Sequence, residues 1–120
     1  MATLLLIDDN PAIRQMLDSL FSSTHECQTA DRAEQALEYL KYRKFDVVIT
    51  DVSMPGLGGV EVLQRIKSEH EGTQVIVISG RPDEYRDKVL EMGAFAFYGK
   101  PFSLTEIEAS VASAINSAAV

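Results

Sequence analysis

Three features of this chain point to an α/β fold in which helices cover both faces of a parallel sheet. Short β-branched or leucine-rich runs recur at nearly even intervals, the stretches between them carry apolar residues at helical spacing, and the two patterns alternate strictly. Strands that alternate with helices pair in parallel through right-handed crossovers, which places helices on both faces.

The first strand is expected over Thr3–Ile7. Asn10 followed by Pro11 then reads as an N-cap with proline at the first helical position, where a missing N–H costs nothing. Ile13, Met16, Leu17, Leu20 and Phe21 form the apolar stripe of the first helix. A second strand over Glu26–Ala30 leads to a helix carrying Ala33, Ala36, Leu37 and Leu40, with Asp31 and Glu34 at capping-box spacing. The third strand, 46–50, is followed by Met54-Pro55-Gly56-Leu57, which places proline and glycine as a type II turn requires. Gly56, Gly58 and Gly59 read as turn glycines, because Gly-Leu-Gly-Gly matches neither a Walker loop nor a dinucleotide fingerprint. Val60, Leu63 and Ile66 mark the third helix, Gln74–Ser79 the fourth strand, and Tyr85, Val89 and Met92 a fourth helix closed by Gly93 at C′. The fifth strand is expected over 94–98. Leu104, Ile107, Val111, Ala114 and Ile115 mark the last helix, with Ser103 and Glu106 as its capping box. Strands one, three and four are apolar almost throughout, as buried parallel strands are.

Composition narrows the function. With 46% hydrophobic and 24% charged residues, the chain is expected to fold as one domain over 1–120, without repeats or linkers. Eleven basic residues against eighteen acidic give a net charge of −7, which repels a nucleic-acid backbone, so no direct nucleic-acid binding is expected. The one cysteine, Cys27, cannot form an internal bridge and reads as a small core residue; His25 and His70 are isolated and expected to be exposed. The longest apolar runs, Leu4 to Ile7 and Val75 to Ile78, fall far short of the roughly 20 residues that span a bilayer. No signal-peptide pattern is present, so a cytoplasmic location without membrane contact is expected.

In open parallel sheets, ligands sit beyond the carboxyl ends of the strands. Asp8 and Asp9 follow the first strand, Asp51 the third and Lys100-Pro101 the fifth, while Ser79 ends the fourth. If the first and third strands are neighbours, like charges about 4 Å apart repel by roughly 4 kcal/mol at an effective dielectric near 20. A cation must offset this. Carboxylates with retained waters suit Mg²⁺, and Lys100 adds a second positive charge. Such a set makes Asp51 a plausible phosphoryl acceptor, with Ser79 as hydrogen-bond donor and Lys100 neutralising equatorial oxygens. Taken singly, each residue has a plainer reading: the acids as helix caps, Lys100 as a solvated lysine, Ser79 as a strand-end hydroxyl. Their joint placement on one edge favours the site.

The segments Leu-Ile-Asp8-Asp9-Asn, Ile-Thr-Asp51-Val-Ser-Met-Pro-Gly, Val-Ile-Ser79-Gly and Gly-Ala-Phe-Ala-Phe97-Tyr-Gly-Lys100-Pro101-Phe resemble the receiver domain of two-component response regulators over essentially the whole chain. The resemblance implies a flavodoxin-like doubly wound sheet of five parallel strands in order 2-1-3-4-5, an order of which a chemotaxis receiver is an example. It implies Asp51 as phosphoacceptor, Asp8 and Asp9 as the acidic pair holding Mg²⁺ with Asp51, and Ser53 as the position whose carbonyl joins the metal. It also implies Ser79 and Phe97 as the switch pair, Lys100 as the phosphate-contacting lysine and a cis bond before Pro101. The donor would be a histidine kinase or histidine phosphotransfer protein. The switched face would be the fourth helix, fifth strand and fifth helix, acting on an unidentified output partner.

Some positions depart from the family pattern. Phe97 stands where tyrosine is frequent, Gly80 follows the switch hydroxyl, and Arg81 is placed to reach a phosphoryl group or a partner. The fifth helix carries no lysine or arginine, so a charge-paired dimer is not expected, and an exposed Phe95 or Tyr98 would offer a different contact. The function expected is therefore an acceptor that phosphorylates and dephosphorylates itself and turns over no metabolite. An aspartate-nucleophile phosphatase would want a second acid where Ser53 stands, and a flavin or nucleotide binder would be repelled by Asp8 and Asp9. A degenerate receiver, acting by contact alone, is at odds with the intact acidic set.

Overall fold

A computed structural model describes residues 2–52 and 58–118. The elements alternate as β1 (Thr3–Ile7), α1 (Pro11–Phe21), β2 (Glu26–Ala30), α2 (Ala33–Tyr42), β3 (Val47–Asp51), α3 (Gly59–Glu69), β4 (Gln74–Ser79), α4 (Pro82–Glu91), β5 (Ala96–Gly99) and α5 (Leu104–Ala118). All strand pairs are parallel and their order is β2-β1-β3-β4-β5, the flavodoxin-like doubly wound arrangement. The three apolar strands are the three central ones.

Side chains alternate across the sheet, so each strand feeds two core layers. Leu5, Ile7, Val48, Val75 and Val77 pack with Ala36 and Leu40 of α2, Leu63 and Ile66 of α3, and Val89 of α4. On the other face Leu4, Leu6, Val47, Ile49, Ile76 and Ile78 pack with Leu17 and Phe21 of α1 and Ile107, Val111 and Ala114 of α5. Each fully buried Leu, Ile or Val contributes roughly 1.5–3 kcal/mol, so the layers outweigh any single helix cap, worth about 1 kcal/mol. Among the described residues, no helix is long and apolar enough to cross a membrane.

Local signals are mostly realised. Asn10 Oδ1 accepts from the Ala12 and Ile13 N–H groups, and Ser103 Oγ accepts from Glu106 N–H. Gly93 has φ +103°, with Gly93 N–H donating to Leu90 O and Ala94 N–H to Val89 O, the Schellman closure of α4. That closure uses the Ala94 N–H, so β5 begins at Ala96 instead of 94.

Several expectations are corrected. Asp31 does not cap α2: the helix begins after Arg32, and Gln35 Oε1 accepts from the Asp31 N–H instead. Met16 and Leu104, at the rims of their stripes, are 36% and 38% exposed. Phe95 and Tyr98 are half-buried against the α1/α5 layer. His25 and His70 are half-buried, and Cys27 is a half-buried edge-strand residue whose thiol burial pushes up to about 11. Gly59 opens α3 and is fully buried, so it is no turn residue. The expected type II turn lies outside the described residues.

The amino-terminal end of β1 is held by two side chains. Asp46 Oδ2 accepts from Thr3 N–H at 2.8 Å, and His25 Nδ1 accepts from Ala2 N–H at 3.1 Å. Burial, with the positive amino terminus, holds the imidazole below its ordinary pKa, against the pull of Asp46. The neutral form belongs to the fold, so the unfolded chain binds more protons. His25 therefore contributes stability that is fully present above its ordinary pKa of 6.5 and lost as pH falls through the lowered value. Urea midpoints measured from pH 7.5 down to 5 should fall more steeply for the wild type than for His25→Asn; parallel curves would refute this.

Candidate functional site

The parallel register aligns Ile7, Thr50, Val77 and Phe97 in one row across β1, β3, β4 and β5. Just beyond this row the strands reach their carboxyl edge, with Asp51 and Ser79 the last residues of β3 and β4 and Asp8 the first past β1. Asp8, Asp51 and Ser79 are there 0%, 2% and 0% exposed, and Asp9 is exposed beside them. Lys100, one residue past β5, extends its side chain back across the edge.

Its ammonium lies 3.0 Å from Asp51 Oδ2, to which it donates, and 3.1 Å from Asp8 Oδ2. Asp8 Oδ1 accepts from the Asn10 N–H at 2.9 Å. Asp8 Oδ2 is buried and, despite its closeness to the ammonium, receives no aligned hydrogen bond. Burial raises the Asp8 carboxyl above its usual pKa, and the Asp51 charge adds to this against the Asn10 N–H and Lys100. For Lys100, burial lowers the pKa, but its bond to Asp51 and its closeness to the Asp8 carboxylate outweigh it and the net shift is upward.

One oxygen from each of Asp8, Asp9 and Asp51 lies within 4.8 Å of the others. Three acids against one lysine leave negative charge uncompensated. Three clustered carboxylates, one with a buried oxygen lacking an aligned donor, form the hard-oxygen donor set that suits Mg²⁺, so the residues present fit that ion. Ser53 lies outside the described residues.

The Ser79 hydroxyl accepts from Arg81 N–H at 2.9 Å, and the Ser79 carbonyl accepts from Lys100 N–H at 2.8 Å, tying the ends of β4 and β5 together. The Lys100–Pro101 peptide is cis. Phe97 is half-buried on the α2–α4 side of the sheet. Arg81 turns away from the acids: its exposed guanidinium lies 3.5 Å from Glu84. A cleft of about 480 Å³ lies at the opposite edge, between the α2–β3 and α3–β4 connections, and no predicted site residue lines it.

Two residues at this edge gain roles beyond those the sequence suggests, Arg14 having been singled out for none and Gly59 only as a turn glycine. Arg14 Nη1 donates to the Asp8 carbonyl at 2.9 Å; its place one turn after the Asn10 cap was the available signal. Gly59 seats α3 directly on the peptide that follows Asp51. A Cβ there would collide with the Asp51 carbonyl and lie 2.8 Å from Val52 Cα.

A family model described as the response regulator receiver domain matches residues 4–112. The DNA-binding transcriptional regulator NtrC of Azospirillum brasilense is 36% identical over 118 residues, 97% of this chain but 24% of that protein. This chain thus spans about a quarter of NtrC's length. Sporulation initiation phosphotransferase F of Bacillus subtilis is 32% identical over 111 residues, covering 90% of this chain and 89% of its own length. The crystal structure of response regulator TrrA from Thermotoga maritima, in complex with Mg²⁺-BeF, superposes with a TM-score of 0.85 at 29% identity, covering 95% of this chain and 99% of that one.

Gly59→Ala should destabilise the fold by roughly 1–3 kcal/mol through overpacking, against the gain of about 1 kcal/mol that alanine brings to a helix. Urea unfolding measures the change, and a variant as stable as wild type would show that α3 can shift without cost.

Proposed function

The chain belongs to the response regulator receiver family, and on that premise we propose that residues 1–120 act as one phosphoacceptor signalling module of a two-component phosphorelay. Asp51 takes the phosphoryl group from a histidine kinase or histidine phosphotransfer protein, in the cytoplasm, and no metabolite is turned over. The observation that carries this reading is the buried pair of carboxylates, Asp8 and Asp51, sharing the Lys100 ammonium at the carboxyl edge of the sheet. The relative named as a phosphotransferase, and the similar structure that holds Mg²⁺-BeF, support it.

Asp8, Asp9 and Asp51 would hold the Mg²⁺, with the Ser53 carbonyl as a further ligand. When bound, the ion supplies positive charge against the carboxylates and the incoming phosphoryl oxygens. An Asp51 carboxylate oxygen forms the new O–P bond as the donor's N–P bond breaks, and the departing imidazole takes a proton from solvent. Lys100 neutralises charge on the phosphoryl oxygens.

The Ser79 hydroxyl is the donor that answers the new group. To reach a phosphoryl oxygen it gives up its bond from Arg81 N–H, and the start of α4 moves with it. Phe97, one strand over and half-buried, then moves inward, changing the α4–β5–α5 face presented to an output partner. As phenylalanine it does so by packing alone.

With Mg²⁺ and acetyl phosphate, intact-mass measurement should show one base-labile phosphoryl group on the wild type and none on Asp51→Asn; equal gains would refute Asp51 as acceptor. Lys100→Ala should retain Mg²⁺ binding yet lose most phosphorylation-dependent binding of an output partner. Undiminished binding by that variant would refute the switch.

A further inference from the structure

We propose that Arg14 is a positioning residue for the acidic set, acting through the main chain of Asp8. The inference rests on the reading of that set as the Mg²⁺ site. Asp8 is the first residue past β1, beyond the last paired row of the β1–β2 and β1–β3 ladders at Ile7. Its N–H still donates to Ala30 O at 3.2 Å. Its carbonyl has run out of strand, and a residue 0% exposed has no water to turn to. The Arg14 guanidinium, 2.9 Å away, supplies that donor.

The bond closes a ring of three links. Asp8 Oδ1 accepts from Asn10 N–H, Asn10 O accepts from Arg14 N–H at 3.0 Å, and Arg14 Nη1 donates to Asp8 O. Helix α1 thus reaches back over its own first turn and grips the loop it grew from. Both peptide planes between Asp8 and Asn10 lie inside the ring. Asp9 is exposed, so the aim of its carboxylate is set by its backbone and not by packing. Rotation of the Asp8–Asp9 peptide would re-aim the Asp9 carboxylate and pull the Asn10 N–H from Asp8 Oδ1. Arginine suits the task because its planar charged fork holds a fixed direction.

The sign of the effect separates positioning from plain electrostatics. Removing a positive charge near a cation site by itself strengthens Mg²⁺ binding, whereas loosening the ligands weakens it. Calorimetric Mg²⁺ titration of Arg14→Met should show affinity lowered by about tenfold, the scale on which groups that orient metal ligands act. Arg14→Lys, which keeps charge and a donor, should recover part of the loss. In the metal-free protein, the Asn10 amide of Arg14→Met should exchange with solvent faster while the Ile49 amide, in the core of β3, is unchanged. Unchanged or tighter Mg²⁺ binding in Arg14→Met overturns the inference, as does Asn10 exchange that rises no more than that of Ile49. A wild-type chain that takes up no Mg²⁺ overturns the functional reading first and the inference with it, so the wild-type titration tells the two failures apart.

Discussion

Two buried carboxylates on neighbouring strands share one ammonium, and the organisation of this protein's carboxyl edge follows from that constraint. Asp8 and Asp51 each place an oxygen about 3 Å from Lys100 Nζ, at 3.1 and 3.0 Å. At such separations opposite charges attract by several kcal/mol at an effective dielectric near 20, and like charges repel as strongly. The three clustered acids thus outnumber the one lysine that bridges two of them. Asp8 is shifted upward first by burial, whereas Lys100 is shifted upward because the carboxylates overcome burial. A cluster with this excess of acids is suited to a cation.

The sheet holds the acids where they would not gather alone. Parallel register brings the strands to a common end, and the buried layers on both faces keep the strands in that register. A shift of one residue in β3 would turn its side chains to the opposite faces and carry Asp51 away from Asp8. Hydrophobic burial thus sustains the electrostatic cost of the edge.

Main-chain contacts hold the two sides of the edge differently. The Arg14 ring fixes the loop after β1, and Gly59 seats α3 on the peptide after Asp51. Across the edge, the Ser79 hydroxyl accepts from Arg81 N–H, and a Cβ added at Gly80 between them would meet nothing within 4 Å. The acids sit on the fixed side, and the residues proposed to switch sit on the other.

Local pattern in the amino-acid order was enough to recover all ten elements, because period 2 and period 3.6 are properties of neighbouring residues. The Asn10, Ser103 and Gly93 signals were legible for the same reason, each acting within a few residues of itself. Asp31 misled because its carboxylate pairs with Arg32 and its N–H donates to Gln35, which no spacing rule settles. The residues of the acidic set could be read as strand-end positions, and the family resemblance sorted them into roles. Their distances, the uneven burial of Asp8 and Asp9 and the closeness of Gly59 to Asp51 could not be read that way. Those depend on which strands become neighbours and how closely helices settle on them, and only long-range packing decides that.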